Sequence, residues 1–221
     1  MGLAHSPRIV SDGLVLALDA GNTKSYPGSG TAWTDTVGGN IGALIAMNGN
    51  NYNSANGGYL DFGGSIDQIN CGSSDDFAFG TGDFTIEFWC NADSSGGIIS
   101  ISPSGGNATT NWQIRYSSSK IKWIYSSTSA IESSTLSTGQ WIHVVATRIG
   151  TALTLYINAV SEATGTSSAN LSDTGVLRIG QNRDGISHFD GKISIVRIYK
   201  GKGLTAAEVK QNYDALKRRY E

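Results

Sequence analysis

The chain is poor in cysteine, proline and histidine, and these shortages exclude several kinds of structure. Among its 221 residues there are three prolines, three histidines and two cysteines, Cys71 and Cys90. Two cysteines cannot form the disulfide framework that is typical of small secreted domains, and a pair of buried free thiols is favoured over a bond between them. Because histidine and cysteine do not cluster, no zinc site is expected.

Charged residues and long apolar runs are scarce as well. Charged residues make up 15% of the chain, against roughly 25% in soluble domains on average, and the net charge is −2. We expect no nucleic-acid binding, because the basic stripe that it requires is missing. No apolar run approaches the roughly 20 residues of a membrane-spanning helix, so no membrane insertion is expected. The first residues also lack the pattern of a signal peptide.

Glycine is abundant instead, at 29 residues, and it separates short runs of β-branched and aromatic residues. The run at 83–92 alternates strictly, with Phe84, Ile86, Phe88 and Cys90 on one face. Many short runs of this kind, divided by turn residues, predict an antiparallel sandwich or barrel. Since the composition does not change along the chain, we predict one domain over residues 1–221, with an amino-terminal arm at 1–12.

The carboxyl-terminal residues carry the one helical pattern in the sequence. Thr205 and Glu208 have the spacing of a capping box, which predicts a helix over 205–221. Val209, Tyr213 and Tyr220 then form part of one apolar stripe. We predict that this stripe packs against the sandwich, with docking onto a partner subunit as the alternative.

Three segments resemble one known superfamily. They are GTGDFTIEFWCNAD (80–93), GQWIHVVATRIGTALTLYINAV (139–160) and VLRIGQNRDGISHFDGKISIVRIYKGKGLTAAEVKQNY (176–213). All three are similar to the concanavalin A-like lectin/glucanase superfamily, in its laminin-G-like and pentraxin-like branch. The resemblance implies an all-β, two-sheet antiparallel jelly-roll sandwich with a short C-terminal α-helix. The family usually has glycine where this chain has Ala159, directly after Asn158.

The first third of the chain resembles tailed-phage proteins in its style of sequence. This part includes SPRIVSDGLVLALDAGNTKSYPGSGTAWTDTVGG (6–39) and NYNSANGGYLDFGGSIDQINC (51–71). The resemblance implies a non-enzymatic virion surface protein (a head decoration, tail or fibre subunit), present in several copies among other virion proteins. Such a protein would bind host-surface polysaccharide weakly. The alternatives are a stand-alone carbohydrate-binding or adhesion module and, less favoured, a divergent glycoside hydrolase.

Acidic residues decide the question of catalysis. Hydrolases of this superfamily place several acids on one face of a strand, and glycoside hydrolysis needs two carboxyl groups across the bond. Here Glu87 is alone on its strand, and Asp75, Asp76 and Asp83 belong to the flanking loop. We therefore predict no catalytic residues and no enzymatic activity.

A carbohydrate site needs an exposed aromatic platform with a few planar polar groups beside it. Trp33 and Tyr52 lie in Gly- and Asn-rich loops and are the best candidates for such a platform. Trp112 and Tyr116 are further candidates, because they share a segment with planar polar side chains. The other members of the candidate set are Tyr59, Trp123, Tyr125, Asn111, Gln113 and Arg115.

One loop raises the question of a metal. Gly180-Gln181-Asn182-Arg183-Asp184 resembles the calcium-binding run of pentraxins, and Asp67, Asn182 and Asp184 are candidate ligands. However, Asn182 replaces an acid of that run, Arg183 adds a cation, and calcium favours summed negative charge. A calcium site and a metal-free polar loop remain alternatives, and no other cofactor is expected. His143 is predicted to be hydrogen-bonded within its sheet rather than to be a ligand.

Overall fold

A computed structural model of the protein describes residues 7–102, 111–125 and 129–221. Residues 1–6 of the predicted arm lie outside the described residues. In chain order the described strands are β1 (Leu14–Asp19), β2 (Ala32–Thr34), β3 (Ile41–Ile45), β4 (Tyr52–Asn53), β5 (Tyr59–Gly63), β6 (Gln68–Ser73), β7 (Phe84–Ala92), β8 (Gly96–Ser102), β9 (Trp112–Ser117), β10 (Lys120–Tyr125), β11 (Ser129–Glu132), β12 (Trp141–Ile149), β13 (Ala152–Ile157), β14 (Val160–Thr166), β15 (Val176–Ile179) and β16 (Asp190–Lys200). The described helices are α1 (Ala206–Leu216) and short 3₁₀ turns at Gly49–Asn51, Ala55–Gly57, Asp75–Phe77 and Lys217–Arg219.

The strands form two antiparallel sheets that pack face to face. The first sheet has the order β14-β13-β12-β7-β16-β5-β4, with β1 also paired to β16. The second sheet has the order β11-β10-β9-β8-β15-β6-β3-β2. The prediction of a two-sheet antiparallel sandwich with a C-terminal helix is confirmed.

The core between the sheets is formed by the inward faces of alternating strands. In β7 the predicted inward set, Phe84, Ile86, Phe88 and Cys90, is fully buried. Burial of these side chains supplies the main driving force for folding, at about 25 cal/mol for each Å² removed from water. Both cysteines are buried and unpaired, as predicted.

The outer face of the first sheet is partly covered by the C-terminal helix. Val145 and Tyr199 pack there against Val209 of α1 in a second apolar cluster. The predicted capping box is present: Thr205 Oγ1 accepts from the Glu208 amide at 3.4 Å, and the Glu208 carboxylate accepts from the Thr205 amide at 2.8 Å. The helix therefore packs on the sandwich, as predicted.

The described end of the amino-terminal arm is held by the same helix. The Val10 amide donates to Asn212 at 2.8 Å, and the Gln211 side chain donates to the Arg8 carbonyl at 2.6 Å. Residues 8–10 are therefore fixed to the sandwich rather than projecting as a docking arm. No helix among the described residues has the length and hydropathy to cross a membrane.

Candidate functional site

Most of the aromatic side chains predicted from the sequence point into the core. Trp33 is 0% exposed, Trp112 is 1% exposed and Tyr116 is 3% exposed. The prediction that Trp33 is an exposed platform is wrong, because Trp33 is the middle residue of β2 and its neighbours on either side take the solvent face. Trp112 and Tyr116 occupy the inward positions of β9 and so cannot be platforms either. The other predicted aromatics are also buried: Tyr59, Trp123 and Tyr125.

Tyr52 is the one predicted platform residue with part of its side chain exposed. It lies at the edge of the first sheet, in β4, and its ring centroid is 5.4 Å from that of Tyr26. Tyr52 also packs against the core cluster. Its prediction as a sugar-binding residue stays a prediction.

The candidate calcium ligands do not converge as predicted. Asn182 is 4% exposed, and its Oδ1 accepts hydrogen bonds from the amides of Ile186 and Ser187, both at 3.0 Å. Since both lone pairs of that oxygen serve its own loop, the prediction of Asn182 as a calcium ligand is wrong. Asp67 accepts from the Gly63 amide at 2.8 Å, and Asp184 is exposed on the loop beside Arg183. Within 7–102, 111–125 and 129–221, no three His, Cys, Asp or Glu side chains are arranged to hold a metal ion.

The predicted planar side chains meet the loop at 181–188 on the outer face of the second sheet. Arg183 Nη1 donates to Asn111 Oδ1 at 2.9 Å, and the Arg183 amide donates to Gln113 Oε1 at 3.4 Å. Gly97 permits this close approach, because a Cβ atom there would lie 2.1 Å from the Asn182 backbone nitrogen. The loop covers Gln113, which is 3% exposed. The amides predicted for sugar recognition therefore serve mainly to hold this loop.

Glu87, the one acid on β7, is enclosed under the C-terminal helix. Its Oε1 accepts from His143 Nε2 at 2.9 Å and from Arg197 Nη1 at 3.0 Å. Its Oε2 accepts from Asn212 Nδ2 at 2.8 Å and from Tyr199 at 3.3 Å. Burial alone would raise the pKa of Glu87, but the Arg197 charge and the His143 hydrogen bond outweigh it and lower the pKa to about 2. This carboxylate is ionised and 0% exposed, and it is occupied by three partners from the first sheet and one from α1. The prediction that His143 is hydrogen-bonded within its sheet is confirmed.

A different row of side chains on the first sheet has the composition of a ligand site. Trp141 in β12 lies directly opposite Asn91 in β7, which lies opposite Lys192 in β16, which lies opposite Asp61 in β5. Directly opposite residues in antiparallel strands point to the same face. Because Ile142, Cys90, Ile193 and Leu60 occupy the core positions beside them, the four side chains face outwards. At about 4.8 Å per strand, this Trp141 row extends over about 14 Å.

Aromatic rings surround the first member of the Trp141 row. Trp141 is partly exposed, with its ring centroid 5.6 Å from that of Tyr59 and 4.9 Å from that of Tyr220. Tyr220 in turn stacks on Trp89 at 4.0 Å. This packing fixes the orientation of the Trp141 ring and leaves part of it open to solvent.

Polar groups of the Trp141 row lie next to this ring. Asn91 is 7% exposed, and its Oδ1 has no hydrogen-bond partner among the described residues. A buried carbonyl oxygen normally has a partner, so this atom has an unused acceptor site just beneath the surface of the row. Lys192 Nζ donates to Asp93 Oδ2 at 2.7 Å. Burial raises the pKa of Asp61, and the nearby charges of Asp93 and Asp190 act in the same direction while Lys192 opposes them.

The Trp141 row was not predicted from the sequence, because each of its members lies at least 30 positions from the others along the chain. Trp141 begins β12, and its partners belong to three other strands. The one available signal was the outward face of β7, where Glu87, Trp89 and Asn91 alternate with core residues. Only the strand register brings the four residues together.

Comparison with known proteins agrees with the observed fold. A family model described as the concanavalin A-like lectin/glucanases superfamily matches residues 62–210. No curated protein sequence matches the chain. The structure is similar to the sialidase of Trypanosoma rangeli, with a TM-score of 0.70 and 16% identity over 96% of this chain and 34% of that chain. The chain thus spans about a third of the sialidase.

Two further solved structures share the fold at similar identity. The binding domain of botulinum neurotoxin serotype G has a TM-score of 0.66 and 15% identity over 90% of this chain and 50% of that chain. Domain 4 of AbnA, a GH43 extracellular arabinanase from Geobacillus stearothermophilus determined in complex with arabinotriose, has a TM-score of 0.61 and 15% identity. That match covers 90% of this chain and 98% of that domain. With the family model matching more than half of its length, the chain belongs to the concanavalin A-like lectin/glucanases superfamily, a fold of lectin-like, carbohydrate-binding type.

Proposed function

We propose that the protein is a non-enzymatic, carbohydrate-binding protein that holds a glycan on the Trp141 row. The observation that carries this proposal is the position of Trp141. Its partly exposed ring lies one strand away from Asn91, whose side-chain oxygen has no partner among the described residues. Sugar sites combine an apolar platform with a few placed polar groups, and the row supplies both.

Each member of the row has a distinct part in this proposal. The Trp141 ring packs against the apolar face of a sugar ring, while Asn91 accepts a hydrogen bond from a hydroxyl group. Lys192 donates and Asp61 accepts further along the row. Because the site is an open row on a sheet rather than a deep pocket, we expect weak binding at each site. Several copies on one particle would strengthen such binding by avidity.

Hydrolysis is the competing function, and the raised pKa of Asp61 is the observation that favours it. Two features argue against it. Glu87 is buried under α1, and the Asp93 carboxylate is paired with Lys192 at 2.7 Å. A glycan bound by the protein should therefore keep its length, and the release of new reducing ends would contradict a non-enzymatic function.

We place this binding on the surface of a bacteriophage virion, among other virion proteins. The resemblance of residues 6–39 and 51–71 to phage proteins supports this setting, as does a sequence low in charge and rich in glycine. The less specific alternative is a stand-alone adhesion module. Antibodies raised against the protein should label purified particles of a phage that encodes it, and label confined to the lysate would contradict the virion assignment.

The binding proposal is tested with a glycan array, run with calcium and again with EDTA. We expect binding that survives EDTA, because the row recognises a sugar without a metal. Trp141→Ala should abolish that binding. Ile186→Ala is the matched control. Ile186 is 83% exposed on the loop at 181–188, outside the Trp141 row, so its replacement should leave binding unchanged.

Two other outcomes would contradict binding on the Trp141 row. Binding lost in EDTA would assign recognition to a metal site instead of the Trp141 row. Binding that persists in a folded Trp141→Ala variant would place the glycan elsewhere on the sandwich. To separate loss of binding from loss of fold, Lys192→Gln provides a second variant, because Lys192 is partly exposed and its replacement leaves the aromatic packing intact.

A further inference from the structure

The second sheet has a strong excess of positive charge on its outer face. Its eight strands contain four cationic side chains and one acid, Glu132. The chain as a whole has a net charge of −2. All four cations alternate with core residues and so point outwards. Arg183 of the adjoining loop lies beside them, and its charge is partly balanced by Asp184, whose carboxylate is 3.8 Å from Arg183 Nε. We call these five residues the basic face: Arg115, Lys120, Lys122, Arg178 and Arg183.

The centre of the basic face pairs two like charges. Arg115 in β9 lies directly opposite Lys122 in β10, an arrangement that is destabilising in an antiparallel pair. Lys122 is bound to Glu132 at 2.9 Å, and Lys120 reaches the same carboxylate at 3.4 Å. One acid is thus shared by two lysines, and it leaves the charge of Arg115 uncompensated.

Arg115 has no ion pair or hydrogen bond within the part of the chain that the structure describes, and its Nε is buried without a partner. On its other side it lies opposite Gly97, over which the backbone of the loop at 181–188 packs and supplies no acidic side chain to Arg115. A guanidinium group offers planar donors that match the oxygens of a carboxylate or sulfate. The charge of Arg115 is therefore not balanced by an acid among the described residues and is available to an external anion.

We propose that the basic face is a second binding site, for an acidic polysaccharide that bears carboxylate or sulfate groups. Arg115 and Lys122 bind the anionic group at its centre, and Arg178 and Arg183 attract the chain along the sheet. This site lies on the opposite outer surface of the sandwich from the Trp141 row, and it does not depend on that row. A repeating anion suits a face whose cations are spread over several strands.

The test measures binding of the whole protein to four polymers at low salt: polygalacturonate, dextran sulfate, neutral dextran and duplex DNA. We expect binding to at least one of the acidic polysaccharides, weaker binding to DNA and no binding to neutral dextran. Binding should weaken as the salt concentration rises, because exposed charges are screened. The two acidic polymers distinguish carboxylate from sulfate. Equal or tighter binding to DNA, or no binding to either acidic polysaccharide, would overturn the proposal.

The matched variants are Arg115→Gln with Lys122→Gln, and Lys24→Gln with Arg218→Gln. Both pairs remove two positive charges, but Lys24 and Arg218 are exposed outside the basic face. We expect about tenfold weaker binding for the first pair and no change for the second. An equal loss in both pairs would reduce the effect to net charge and refute a localised site. Binding of the Trp141→Ala variant to the acidic polymer should be unchanged, so the two sites fail or succeed separately.

Discussion

Asn212 of the C-terminal helix donates a 2.8 Å hydrogen bond to the buried carboxylate of Glu87, in the middle of the first sheet. The same Asn212 accepts from the Val10 amide, so one side chain joins the sheet, the helix and the amino-terminal segment. Arg197 supplies the charge that balances Glu87. This network explains why an ionised group is tolerated on a face that the helix removes from water.

Replacing Glu87 should therefore destabilise the protein strongly. Glu87→Gln leaves the buried Arg197 without a carboxylate and turns an amide donor towards other donors. We expect a loss of about 3 kcal/mol in the free energy of unfolding, measured by urea denaturation with tryptophan fluorescence. Glu221→Gln, at an exposed terminal acid, should change it by less than about 0.5 kcal/mol. A Glu87→Gln variant as stable as the parent would show that the network adds nothing.

Acid should also lower the free energy of unfolding, and the depressed pKa of Glu87 determines the pH range in which this stability is lost. Its pKa is about 2 in the folded protein and has the ordinary value of 4.5 in the unfolded chain. A depressed folded pKa adds stability that is present above pH 4.5 and lost as the pH falls towards 2. We expect about 3 kcal/mol of the parent's stability to depend on this step. Unfolding free energies measured across this range should fall less steeply in Glu87→Gln, and parallel curves would contradict the assignment.

Local patterns predicted the parts of this fold that depend on neighbouring residues. Alternation in β7 placed Phe84 and Phe88 in the core, and the spacing of Thr205 and Glu208 located the start of α1. Both patterns act within a few residues, so the sequence contains all the information they need. The same reasoning failed for Trp33, because a three-residue edge strand inside a glycine-rich segment looks like a loop.

The candidate sites depend on contacts that no local pattern contains. The Trp141 row needs the register of four strands, and the basic face needs Arg115 to lie opposite Lys122. The outward face of β7 was correctly separated from its inward face, but nothing in the alternation indicates that α1 covers Glu87. Covering elements and cross-strand partners are properties of the tertiary fold, and they decide which polar residues are exposed.

The two cysteines should be inert in the folded protein. Burial raises the pKa of Cys71 to about 12, with Asp35 adding to the effect, and burial raises the pKa of Cys90 as well. Since the thiolate is the reactive form, neither thiol should react with a disulfide reagent until urea unfolds the chain. Ser137→Cys, at an exposed position, is the positive control and should react at once. Reaction of two thiols in the native parent would contradict the burial of both residues.

Glycine, which the family usually has at the position of Ala159, should stabilise the turn between β13 and β14. Asn158 and Ala159 are the two loop residues of this hairpin, and both have positive φ values, 51° and 65°. This is the geometry of a type I′ turn, in which glycine is favoured because a Cβ atom is strained in the left-handed region. Ala159→Gly should therefore stabilise the protein by about 0.5–1 kcal/mol in urea denaturation.

Two further glycine substitutions test the cause of that gain. Ser119, with φ of 58°, ends the equivalent two-residue turn between β9 and β10, so Ser119→Gly should also stabilise. Ala152 lies in extended β13, where glycine only adds freedom to the unfolded chain, and Ala152→Gly should destabilise by about 0.5–1 kcal/mol. Opposite signs for Ala159 in the turn and Ala152 in the strand would assign the gain to backbone conformation. The same sign at both positions would refute it.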